Sequence, residues 1–391
     1  MSDTATLLGA SRRRFLATCC WGAAGTMVGI NAFGGIAGEG DDQADSQKEP
    51  DRPGKWSKEA LFYSADGDRV VCAKCPHGCV LSDGEMGRCR SRVSYDRKLF
   101  SIAYGNPCAV HIDPIEKKPF FHFLPSTRAF SVAIAGCNLR CLNCQNWEIS
   151  QVSPRETVNY ELMPPRGVDE CVAAGAQSIA YTYSEPTTFY EYVLDTATLA
   201  RQRKIRNLLK SNGYINEAPL RKLCKVLDAA NIDLKSFDDS VYQRLASASL
   251  APVLRTLKVL HEEGVWLEIT NLIIPSWTDD LDAVRRMCEW LVKNGLADAP
   301  LHFSRFTPLY KLAHLPATPV SSLEKARDIA LESGIKYSYI GNVPGHSGEN
   351  SYCHSCRKLL LERKGFSIGE NHIVKGRCEY CRERIPGVWG S

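Results

Sequence analysis

Cys137, Cys141 and Cys144 stand in the stretch Gly136-Cys137-Asn138-Leu139-Arg140-Cys141-Leu142-Asn143-Cys144. The residues just before it, 129–135, are mostly apolar and are closed by Gly136, so they read as a short strand feeding a loop. Iron–sulfur clusters usually take four thiolates. One loop with C-x3-C-x2-C spacing offers three. Such a loop leaves one iron of a cubane open to a ligand from outside the chain.

The remaining cysteines sort by position. The chain has 17 in 391 residues. Cys353, Cys356, Cys378 and Cys381 form two C-x2-C pairs about 20 residues apart, the spacing of a zinc ribbon. Four thiolates close the coordination sphere of zinc, so that module is expected to be structural. Leu359-Leu360-Leu361 and Phe366-Ser367-Ile368 between the pairs fit its strands. Cys72, Cys75, Cys79 and Cys89 lie in a segment with little apolar content, beside His77. They suffice for one zinc or for a cluster; buried, reduced thiols are the plain alternative. Cys19, Cys20, Cys108, Cys171, Cys224 and Cys288 are singletons or leader residues.

The elements that must position the loop lie downstream of it. Short apolar strands alternate with amphipathic helices from residue 129 to about 340. Expected strands are 131–135, 178–183, 207–211, 232–234, 266–274, 302–306 and 337–340. Expected helices are 168–174, 187–203, 217–230, 251–263, 280–294 and 322–333. This alternation predicts parallel βα units. In barrels of such units the chemistry sits at the C-terminal strand ends. Glu185, Ser211, Asn212, Asp233, Lys235, Asn271, Pro275, His302, Ser304 and Arg305 fall near those ends. Any one alone reads as a cap or turn residue, but together they suggest a polar mouth beside the cysteine loop. The charged and aromatic stretch 105–124 reads either as a lid or substrate-contacting segment or as a packed connector ahead of the first strand.

Ser11-Arg12-Arg13-Arg14-Phe15-Leu16 precedes an uncharged, Gly- and Ala-rich run to Gly38. That pattern marks residues 1–38 as a twin-arginine signal, or as an anchor if uncleaved. A working leader places the protein in the periplasm or on the membrane; otherwise it is cytoplasmic. Residues 39–69 read as linker and lead-in, 70–128 as a Cys-rich segment, 129–345 as the barrel and 346–391 as the ribbon-like module. The net charge is only +4, and no basic stripe with interleaved aromatics is present, so nucleic acid is not an expected partner.

Several motifs together resemble the radical SAM superfamily, and more narrowly the radical SAM enzymes of the AmmeMemoRadiSam system, relatives of pyruvate formate-lyase activating enzymes. They are Cys-Ala-Lys-Cys-Pro-His-Gly-Cys at 72–79, Asp-Pro-Ile-Glu-Lys-Lys-Pro at 113–119 and Gly-Cys-Asn-Leu-Arg-Cys-Leu-Asn-Cys-Gln-Asn-Trp at 136–147. Tyr-Ser-Glu-Pro-Thr at 183–187, Asn-Gly-Tyr-Ile-Asn-Glu at 212–217, Asp-Leu-Lys-Ser-Phe at 233–237 and Gly-Asn-Val-Pro-Gly at 341–345 complete the set. The resemblance implies an α/β fold, a partial (β/α)6 radical SAM barrel. It implies a 4Fe–4S cluster on Cys137, Cys141 and Cys144, with S-adenosylmethionine (SAM) chelating the open iron. Ser184-Glu185-Pro186 stands where the superfamily has glycine-glycine-glutamate-proline, so Glu185 would hold the SAM amino group, with Asn212, Asp233 and Lys235 around SAM. Asn143, Ser276, Arg357 and Arg382 depart from the family pattern, the last three where glycine is usual. The implied partners are a low-potential electron donor and Memo-like and AMMECR-like proteins.

The function expected on these grounds is reductive cleavage of SAM to start hydrogen abstraction on a substrate the sequence does not name, with activation of a partner protein as one outcome. The competing reading is an exported, non-catalytic iron–sulfur and zinc protein, an electron carrier or scaffold. The leader favours it, since SAM belongs to the cytoplasm; Glu185, Asp233 and Lys235 count against it, since a carrier needs no SAM pocket.

Overall fold

Bursts of apolar residues along residues 109–341 each become one strand of a single sheet. In the computed structural model, which describes residues 53–390, these are β1 (Ala109–Pro114), β2 (Arg128–Ala133), β3 (Ser178–Tyr181), β4 (Arg206–Ser211), β5 (Ala229–Asp233), β6 (Trp266–Ile273), β7 (Leu301–Arg305) and β8 (Ser338–Gly341). Sheet order follows chain order from β1 to β8. All neighbours from β2 onward are parallel, and β1 pairs antiparallel with β2. Parallel neighbours need crossovers, and helices supply them. They are α1 (Pro164–Ala173), α2 (Tyr190–Gln202), α3 (Glu217–Cys224), α4 (Asp239–Ala246), α5 (Leu250–Glu262), α6 (Leu281–Lys293) and α7 (Val320–Glu332). Six strand–helix units run from β2 to β7, as the partial (β/α)6 expectation requires, and β8 ends the series. The twin-arginine segment lies outside the described residues. Among the described residues no helix is long and apolar enough to cross a membrane.

Three local expectations change. The helix expected over 217–230 ends at Cys224, and Val226 and Leu227 turn back onto the Leu223 carbonyl. Ala229 and Ala230 are good helix formers, yet they join β5, fully buried between β4 and β6. Packing here overrides local propensity. Helix α4 has no counterpart in the sequence reading; Asp238 caps it by accepting from the Val241 amide at 3.1 Å. The stretch 105–124 packs as a connector, and Glu116, Lys117, Lys118, Pro119 and Phe121 within it also line the cavity described below. The stretch forms β1 and then a plug inside the curled sheet. The carboxylate of Glu268 on β6 accepts from the amides of Phe121 and His122 at 2.8–3.0 Å, and Asn231 on β5 donates to the Pro119 carbonyl. Backbone groups buried this way must be paired, so Glu268, fully buried, is committed to structure.

The segment before β1 forms short antiparallel pieces: residues 63–66, 69–72 and 80–81 in one, 58–59, 92–95 and 98–101 in the other. It is fastened to α2 by Glu191, which is 1% exposed. Arg92 Nη2 donates to both oxygens of Glu191 at 2.8 and 3.0 Å, Lys74 Nζ lies 3.3 Å away, and the Leu61 amide donates at 2.9 Å. At the other end, residues 351–352, 359–364 and 367–371 make an antiparallel sheet and 373–374 pairs with 377–378. Arg363 joins that piece to the plug by donating to the Phe121 carbonyl at 2.9 Å.

Candidate functional site

The loop after β2 is held by backbone contacts on both sides. Arg140 and Leu142 amides donate to the carbonyls of Ala246 and Leu245 at the end of α4, and Asn138 Nδ2 donates to the Tyr214 carbonyl at 2.7 Å. Cys137, Cys141 and Cys144 thereby line a cavity of about 620 Å³, and among the described residues they are its only cysteines. Burial pushes the Cys141 thiol up to about 11, while the Lys235 ammonium pulls the other way. Desolvated thiols of this kind are ionised by a metal rather than by water. Three thiols and no fourth in the cavity fit a cubane with one open iron.

Every residue predicted around SAM opens on the same cavity: Ser184, Glu185, Asn212, Asp233 and Lys235. Glu185 is 2% exposed. Its Oε1 accepts from Ser211 Oγ at 2.8 Å and the Thr187 amide at 3.0 Å, and its Oε2 from the Asn212 amide at 2.8 Å. Burial raises its pKa; those donors oppose the rise. Ser184 Oγ donates to the Ile134 carbonyl at 2.6 Å, which ties the β3 end to the cysteine strand. Asn212 Nδ2 donates to Asn138 Oδ1 at 2.8 Å and lies 3.7 Å from Cys137 Sγ. His302 and Ser304 also line the cavity; Asn271, Pro275 and Arg305 do not. Asn271 donates to the Leu234 carbonyl and Arg305 to that of Thr318, both structural uses.

Lys210 escaped the sequence reading. Its Nζ contacts Asp233 Oδ1 at 2.5 Å, and Lys235 Nζ contacts Asp233 Oδ2 at 2.8 Å. Burial works against the charge on Asp233, but the two ammonium groups hold its carboxyl well below the usual range. The signal was a lysine directly after the apolar pair Leu208-Leu209, two positions before Asn212. Also unforeseen is the cluster of Asp113, Lys118 and Tyr183. Lys118 Nζ lies 2.6 Å from Asp113 and 3.0 Å from the Tyr183 hydroxyl, which also bonds Asp113. Tyr183 holds φ of 65°, and Ser276, Arg357 and Arg382 hold 64°, 62° and 65°. These last three are the positions where glycine was expected; the backbone there is left-handed, which only glycine adopts without strain.

Two further thiol sets are separate from this cavity. The Sγ atoms of Cys353, Cys356, Cys378 and Cys381 all lie within 4.8 Å of one another, with Cys353–Cys381 at 3.6 Å and Cys356–Cys378 at 3.7 Å. One tetrahedral ion bound at about 2.3 Å from each sulfur sets neighbouring sulfurs about 3.8 Å apart, so this quartet can bind a single metal ion. Cys72, Cys75, Cys79 and Cys89 line their own pocket. The described cysteines are all free.

A sequence model of the Radical SAM superfamily matches residues 131–288. An uncharacterized protein of Methanocaldococcus jannaschii is 44% identical over 334 residues, 85% of this chain and 99% of that one. The pyruvate formate-lyase 1-activating enzyme of Escherichia coli K12 is 26% identical over 165 residues, 41% of this chain and 67% of its own. Among solved structures, a radical SAM methyltransferase from Sphaerobacter thermophilus is similar at 14% identity and a TM-score of 0.43, covering 58% of this chain and 71% of that one.

Proposed function

We propose, for a chain that belongs to the radical SAM superfamily, that Cys137, Cys141 and Cys144 hold a 4Fe–4S cluster and that SAM binds its open iron within the cavity. Bound there, the pair would supply one-electron reductive cleavage of SAM, with the electron from an external low-potential donor, and through it hydrogen-atom abstraction from substrate. The chain's own residues orient SAM and keep water out. Glu185 is aimed by three donors before any ligand arrives, so it can accept an ammonium group without reorganising. An ammonium also returns the charge that burial disfavours on Glu185. The group Lys210–Asp233–Lys235 carries one net positive charge, suited to the carboxylate of SAM. Asn212 supports the Cys137 sulfur; a donor near a cluster sulfur raises reduction potential. Glu116, Lys117, Lys118, Pro119 and Phe121 of the plug add to the cavity wall.

The observation that carries this reading is the sharing of one cavity by three thiols and the buried Glu185. Anaerobically reconstituted, dithionite-reduced protein given SAM is expected to release 5′-deoxyadenosine. An intact cluster with no such product would instead make the chain an electron carrier. Kinship to an activating enzyme supports a protein substrate, and the AmmeMemoRadiSam resemblance supports Memo-like and AMMECR-like partners. Co-purification with each, followed by transfer of label from substrate into 5′-deoxyadenosine, tests this. The C-terminal quartet is proposed to hold structural zinc, on its sulfur spacing. Export through the twin-arginine route is proposed from Arg12 and Arg13; a reporter fused to residues 1–60 should lose export when both become Lys.

A further inference from the structure

We propose that Cys72, Cys75, Cys79 and Cys89 hold a second iron–sulfur cluster, the entry point for the electron delivered to the SAM site. The four thiols surround one pocket. Among the described residues, the C-terminal quartet is the set whose ligand atoms all fall within 4.8 Å of one another, so the N-terminal four do not converge as they would on a single ion. A cube of four irons keeps its thiolates farther apart than one zinc does.

A second observation points to the occupant. Arg92 lines this pocket, is 2% exposed, and spends only Nη2 on Glu191; its Nε and Nη1 have no partner. A buried guanidinium with two idle donors is costly unless something anionic completes it. Sulfides and thiolates of a cluster are such acceptors. Lys74, also buried, lines the pocket too. Arg92 and Lys74 thus set two basic side chains, paired on their far side with Glu191, against the wall of a pocket that four thiolates make anionic.

The same pocket abuts the first loop. Asn138, next to Cys137, is part of its wall, and His77 Nε2 lies 2.8 Å from the Asn138 carbonyl. Gly136, at φ 111°, lies so close to the backbone of Cys89 that a Cβ on it would stand 2.7 Å from the Cys89 carbonyl oxygen. Ser91 Oγ donates to the Thr188 carbonyl at 2.9 Å, just past Glu185. The two cysteine loops are packed against each other without an intervening layer. One electron from an external low-potential donor reduces the second cluster by one equivalent, and its reoxidation reduces the first.

This inference rests on the cavity reading for its direction of electron flow, but the site itself is tested separately. Full chain is reconstituted anaerobically with iron, sulfide and zinc. A Cys137→Ser/Cys141→Ser/Cys144→Ser variant, whose N-terminal quartet is untouched, is expected to keep roughly four of about eight irons per chain. Its reduced form should give an electron-paramagnetic signal indifferent to SAM. No iron in that variant, or zinc in its place, overturns the second cluster. Wild-type iron that never responds to SAM would sink the cavity reading while leaving this count decisive. A Cys75→Ser/Cys79→Ser variant should lose half the iron, keep a SAM-responsive signal and keep cleavage driven by dithionite. It should lose cleavage driven by a flavodoxin-class protein donor. Full activity with the protein donor overturns the relay.

Discussion

Glu185→Gln separates binding from folding. The carboxylate accepts at both oxygens, from Ser211 and Thr187 on one and from the Asn212 amide on the other. An amide keeps one oxygen and turns an NH2 toward donors at the other. One buried donor is then orphaned, at about 1–3 kcal/mol. Unfolding entropy near 2.1 cal/mol/K per residue over about 340 described residues gives roughly 0.7 kcal/mol per degree, so Tm should fall by about 1–4 °C. The lost charge-assisted bond to the SAM ammonium is worth about 1.5–3 kcal/mol. At 1.4 kcal/mol per decade, SAM affinity should weaken by about 10- to 150-fold. Calorimetric titration of SAM into reconstituted protein reads the second effect, and a thermal melt without SAM reads the first. Burial raises the Glu185 pKa above its ordinary 4.5, with the Asn212, Thr187 and Ser211 donors opposing. Wild-type affinity should therefore fall as pH drops through that raised value, while the variant stays flat. A melt shifted as expected with SAM affinity unchanged would refute the ammonium role.

Other outcomes follow from the same geometry. Glu191→Gln removes the carboxylate that pairs with buried Arg92 and Lys74, at up to about 3–5 kcal/mol, and should lower Tm by several degrees and expose residues 58–101 to proteolysis first. Asp233→Asn removes the counter-charge of Lys210 and Lys235 and should cost about 1–3 kcal/mol at neutral pH. The Asp233 pKa is depressed in the fold, so its stabilisation is present above the unfolded value near 3.9 and is lost as pH falls below it. Denaturant titrations of the two proteins should converge in acid. Cys378→Ser should drop bound zinc by about one equivalent per chain and lower Tm, read by metal analysis and a melt. Ser276→Gly should stabilise, by up to about 1 kcal/mol, because Ser276 sits at φ 64°.

The spacing of Cys137, Cys141 and Cys144 foretold three thiols at one place, and they do share one cavity, because loop residues close in sequence stay close in space. Glu185, Asn212, Asp233 and Lys235 were legible from position: parallel strands deliver their C-terminal ends to one mouth, and all four line it. Asn271 and Arg305 occupied equally promising positions and turned to carbonyls instead. A strand end fixes where a residue lies but not which neighbour claims its side chain.

What the sequence determined by itself was the set of local decisions: three thiol groups with distinct spacings and seven parallel strands. Each depends on residues within one turn or one strand. Tertiary structure decided what depends on contacts across long separations. It put Ala229-Ala230 in a strand, set residues 115–124 inside the sheet, joined Lys210 to Asp233, and pressed Cys89 against Gly136. None of these pairings leaves a periodic trace in the chain, because each arises where two segments compete for the same buried space and only packing settles the contest.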